Sequence, residues 1–111
     1  MANMVPTLQE EERPIDEQIA NELISLTPES WRAAVLEVTY EGEPQGAEGY
    51  SHEIYSPDGH REPVEPSEEL FRATRELGLL FQKHGHHWRR VKYTVNQQQD
   101  GSWRYSAAFE Y

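Results

Sequence analysis

The sequence predicts an α+β fold in the order α-β-β-α-β-β: a four-stranded antiparallel sheet built from two hairpins, with the helices packed on one face. Three observations carry this reading. Apolar residues recur at helical spacing in two stretches. They alternate with polar residues in four shorter ones, and glycine, proline and acidic residues punctuate the chain between them. At 111 residues the chain is one domain.

Residues 1–13 read as a flexible acidic leader, with the domain proper at 14–111. In PIDEQIANELISL, Ile15, Ile19, Leu23 and Leu26 form one stripe of a helix. Pro14 suits its first turn, Asp16 and Glu17 favour the positive end of its dipole, and Pro28 stops it. In AAVLEVTY, residues 33–40, the period changes to two, with Leu36, Val38 and Tyr40 on one face. The stretch 41–49 is a connection, and YSHEIY, residues 50–55, is the second strand, with Tyr50, His52 and Ile54 facing one way. Ser67 is the N-cap of a long amphipathic helix through Leu70, Thr74, Leu77, Phe81 and His84, and Gly85 suits its left-handed end. WRRVKYTV, residues 88–95, and WRYSAAFEY, residues 103–111, form the last hairpin around Asp100-Gly101.

The net charge is −10, and it is unevenly placed. Residues 1–66 hold fifteen acids and three bases, whereas residues 67–111 hold five acids and seven bases. Such a field repels phosphate backbones, so no direct nucleic-acid binding is expected, although Trp88, Arg89, Arg90, Lys92 and Arg104 resemble a basic aromatic patch. Those bases read equally as the solvated face of two strands, satisfied in part by Glu110 or Glu37. There is no cysteine and no long apolar run, and three consecutive glutamates stand near the N-terminus. A cytoplasmic protein with no membrane partner is therefore expected.

HGHHWRR, residues 84–90, raises the question of a metal. His84, His86 and His87 are candidates for an adventitious ion, but Gly85 turns the chain between them and no acid follows within residues 77–99 to orient them. No physiological metal or other cofactor is expected. No catalytic residue is expected either. The serines sit in no Gly-x-Ser-x-Gly turn, neighbouring His52 and Glu53 face opposite ways, and glutamates surround the glycines at 42, 46 and 49.

A set of short motifs resembles the antitoxin YezG family, immunity proteins of polymorphic toxin systems. The matching residues are Ile19-Ala20-Asn21-Glu22-Leu23-Ile24, Pro28, Trp31, Leu77, Phe81, Gly85, Trp88, Gly101 and Phe109-Glu110-Tyr111, in that order, across residues 15–111. The resemblance implies an α+β protein that neutralises a cognate toxin, often a nuclease, inside the producing cell, without catalytic residues of its own. It does not carry over an interface. Charge supplies that expectation instead: Tyr40, Glu41, Glu43, Glu48, Tyr50, Glu53, Tyr55, Asp58 and Glu62 combine acids that steer a basic partner with tyrosines that supply contact area. An acidic protein-binding adaptor, and behind it a small histidine-metal enzyme, are the alternatives.

Overall fold

The computed structural model describes residues 7–41 and 49–111. Its elements are α1 (Leu8–Leu26), β1 (Ala33–Tyr40), β2 (Tyr50–Tyr55), α2 (Glu68–Lys83), β3 (Arg90–Gln97) and β4 (Trp103–Glu110). The four strands form one antiparallel sheet in the order β2-β1-β3-β4. The two hairpins therefore lie side by side, joined along β1 and β3, and the element order is the predicted α-β-β-α-β-β. No helix among the described residues is long and apolar enough to cross a membrane.

Strand alternation sorts the sheet into two faces. Ala34, Leu36 and Val38 of β1 stand opposite Val95, Tyr93 and Val91 of β3, and all six are buried. They meet Ile19 and Leu23 of α1 and Leu70, Leu77 and Phe81 of α2 in one core, so both helices cover this face. The other face carries Glu37, Thr39, Glu53, Tyr55, Arg90 and Lys92 and is largely wet.

The first helix begins earlier than Pro14, which corrects the extent given to the leader. Thr7 accepts from the Glu10 amide, and the Glu10 carboxylate accepts from the Thr7 amide. This reciprocal capping box satisfies two amides that a helix start leaves orphaned. Pro14 thus lies inside α1 and removes one backbone donor there. Residues 7–13 belong to the cap and the first turns of the helix; residues 1–6 lie outside the described residues.

α2 begins at Ser67, whose hydroxyl accepts from the Leu70 amide and donates to Glu22 of α1 at 3.1 Å. Its end is a Schellman motif. His86 donates to the Phe81 carbonyl, Gly85 donates to the Gln82 carbonyl, and Gly85 takes φ +77. Trp88 then turns into the core, so β3 starts at Arg90 rather than at 88.

Gly78 lets α2 approach the sheet closely. A Cβ there would overlap the Tyr50 hydroxyl, and the Tyr50 ring is held between Tyr40 and Trp88 with centroids 5.5 Å from each. Helix propensity alone favours Gly78→Ala by about 1 kcal/mol. Overpacking works against it by about 1–3 kcal/mol. The expected outcome is net destabilisation of up to about 2 kcal/mol in urea unfolding; a stabilised variant would show that Tyr50 moves freely.

Candidate functional site

The predicted acidic face divides when folded. Tyr40 and Tyr50 lie opposite each other on the helix-facing side, where they pack beside the core and Tyr50 meets Trp88. Glu53 and Tyr55 project from the opposite face of β2. Glu41 is exposed just past β1, and Asp58 is exposed in the turn after β2. Glu43 and Glu48 lie outside the described residues. The seven of these nine that are described are thus not one surface, and the tyrosines at 40 and 50 take part in packing.

Glu62 also has a role within the fold. Its carboxylate accepts from the Trp31 indole N–H at 3.2 Å and from the Ser30 hydroxyl at 3.0 Å. The indole bond, then the hydroxyl, hold its pKa below the usual carboxylate range. The link ties the loop after β2 to the turn before β1, and His60 stacks on the Trp31 ring at 5.9 Å.

What remains is a patch at the β2 edge of the outer face. Glu53 stands directly opposite Glu37 in the β1–β2 register. Tyr55 donates to the Glu37 carboxylate at 2.6 Å, and that bond, helped by desolvation, pushes its phenol up to about 12. Lys92 faces Glu37 from the β3 side. Among the described residues, Glu41, Glu53 and Asp58 make no ion pair. Like charges directly opposite in a sheet cost stability, and Tyr55 and Lys92 offset that cost at Glu37 but not at Glu53. Sequence reading places Glu37 as a cross-strand partner of the basic residues and leaves it out of the acidic surface, because it sits within an apolar strand.

On the same outer face, Arg90 reaches Glu110 at 3.5 Å. Trp88 is only 3% exposed and packs against Tyr50 and Phe109. Trp88 is therefore not an open stacking surface beside Arg89 and Arg90, whereas Trp103, beside Arg104, is partly exposed.

The histidines diverge. His84 is the C-cap of α2, and its Nε2 lies 3.1 Å from the Glu11 carboxylate; Lys83 reaches the same carboxylate at 3.3 Å. The histidine bond, then the lysine bond, draw the Glu11 pKa down. The acid that the local sequence lacks is thus supplied from α1. His86 and His87 are exposed, and among the described residues no three His, Cys, Asp or Glu side chains converge as a metal set.

A second polar cluster was missed in the sequence. Asp16 is buried and accepts a short hydrogen bond from the hydroxyl of fully buried Tyr93. Glu12, one helical turn before Asp16, is pushed up to about 8 by burial and then by its hydrogen bond to Asp16. The i, i+4 spacing that brings the two carboxyls together becomes visible only when α1 is started at Leu8.

On the far side of β2, His52 faces α2. Its Nε2 lies 2.8 Å from the Thr74 hydroxyl, which itself donates to the Phe71 carbonyl. The imidazole N–H must therefore be the donor to Thr74. Burial holds the His52 pKa below its usual value, as for a neutral ring locked in packing.

No family model matches the chain, and no curated protein matches it.

Proposed function

We propose that this chain is an immunity protein that neutralises a cognate bacterial toxin inside the producing cell, by covering a basic, phosphate-binding surface of a nuclease. The observation that carries the reading is the unpaired acid at the β2 edge: Glu53, flanked by Glu41 and Asp58, with Glu37 and the Tyr55 that bonds it alongside. Carboxylates so placed attract the lysines and arginines that hold a nucleic-acid backbone, and matched burial of such pairs supplies specificity. The motif resemblance supports the same reading. Its positions are mostly core and turn residues, among them Leu23, Trp31, Leu77, Phe81, Gly85 and Gly101, so they describe the scaffold and leave the surface free to vary.

The test uses the toxin encoded beside this chain's own gene. Coexpression is expected to rescue growth. Reversing Glu41, Glu53 and Asp58 to lysine together is expected to raise the toxin Kd at least about tenfold and to flatten its dependence on salt. Unchanged affinity and an unchanged salt slope would sink the acidic-edge mechanism, and a neighbouring gene that encodes no toxin would favour the adaptor reading.

A further inference from the structure

The sheet has a second edge, far from β2, and it is built differently. β4 runs eight residues, Trp103–Glu110, without a proline. Its backbone phase can be read from two bonds: Gln98 donates to Ser102 at 2.6 Å, whereas Gln97 donates to Arg32, beside β1, at 2.8 Å. Even-numbered residues of β4 therefore pair with β3, and the N–H and C=O groups of Trp103, Tyr105, Ala107 and Phe109 point outward from the edge. Natural edges are usually blunted by charge, proline or a covering element. Here Tyr105 is 39% exposed and Tyr111 67% exposed, so the helix layer leaves the aromatic row partly uncovered.

The edge is complementary to itself in one register. If two copies meet antiparallel with Ala107 opposite Ala107, all outward N–H and C=O groups find partners, because the odd-numbered residues then oppose one another. On the wet face this register sets Arg104 opposite Glu110 of the second copy, twice. On the helix face it sets Tyr105 opposite Phe109 and Trp103 opposite Tyr111. Sliding by one residue puts outward-pointing amides opposite inward-pointing ones. Sliding by two removes the Arg104–Glu110 pairing and leaves an aromatic end unmatched. Cross-strand pairs of opposite charge and of aromatics are the contacts that stabilise a ladder.

We propose that β4 is a homodimer interface, joining two copies into a continuous eight-stranded sheet about a two-fold axis at Ala107. Such an arrangement is isologous and closes on itself, so it yields a dimer rather than a fibre. A groove of about 240 Å³ lies between α1 and β4, beside Ile24 and Trp103, and the second copy's Tyr111 ring would arrive next to it. The acidic β2 edge remains open on both outer ends, so the dimer stands independently of toxin binding and would present two acidic surfaces.

Sedimentation equilibrium of the full chain across a range of concentrations tests this, with circular dichroism confirming that each variant folds. The wild type is expected to dimerise. Arg104→Glu and Glu110→Arg, each alone, set like charges opposite each other and raise the dimer Kd at least about tenfold. Mixing the two variants restores Arg–Glu at both ends and is expected to recover a heterodimer. Glu110→Arg also breaks the internal Arg90 pair, so Ala107→Pro serves as an independent variant: its amide points away from β3 and its loss breaks no bond within the chain. A wild type that stays monomeric, a mixture that fails to associate, or an Ala107→Pro variant that dimerises unchanged would each overturn the proposal.

Discussion

Trp31→Ala is expected to destabilise the fold by about 3–5 kcal/mol, the largest effect of any single truncation considered. The side chain is 1% exposed in the core cluster, so its removal leaves a cavity that the surrounding β-strand and helix cannot fill by collapse. It also strips Glu62 of its indole donor and removes the ring on which His60 stacks. Urea unfolding measures the loss. A change below about 1 kcal/mol would mean that the turn before β1 repacks without the ring. Because Glu62 anchors the loop after β2 through this indole, limited proteolysis near residues 57–66 should rise in step.

The second large effect lies in the carboxyl cluster under α1. Tyr93→Phe deletes only the hydroxyl that donates to Asp16, and losing that bond to a buried carboxyl is expected to cost about 1–3 kcal/mol. The cluster also sets a pH dependence. The Glu12 pKa in the fold, about 8, lies above its ordinary 4.5, so between these values the folded chain binds more protons than the unfolded one. Stability from this group is therefore full below pH 4.5, falls as pH rises through the window, and is lost by about pH 8. Glu12→Gln, which mimics the protonated acid, is expected to raise Tm near pH 8 and to leave it nearly unchanged at pH 4.5. A wild-type Tm that rises steadily across this range in step with the variant would contradict a raised Glu12 pKa.

Much of the fold was legible because periodicity is a direct image of burial. The alternation in AAVLEVTY and the stripe from Leu70 to Phe81 name the residues that fill the core. What was misread followed from weighing one signal above another. Pro14 as a helix start outweighed Thr7-x-x-Glu10, although the latter is a capping-box pattern with its own mechanism. The candidate surface was misassembled for a different reason. Nearness in sequence grouped Tyr40, Tyr50, Glu53 and Tyr55, yet strand parity sends the first two to the helices and the last two to solvent. Pairing of the last two strands with β1 made Glu37 visible as a partner for the basic residues, whereas Glu11 could not be found beside His84 from local sequence, because the contact joins two elements.

The seam between β1 and β3 has a consequence for how the chain reaches this structure. Each hairpin closes over a short stretch of chain, but Val38 meets Val91 only after β2, its loop and all of α2 intervene. Loop-closure entropy is therefore concentrated at one ladder rather than spread over the sheet. The same ladder aligns the most buried strand residues, so the contact with the highest entropic barrier is also the one with the greatest apolar reward. Until it forms, each half is an αββ unit with an open apolar face, and the chain's exposure to misassembly ends when that seam zips.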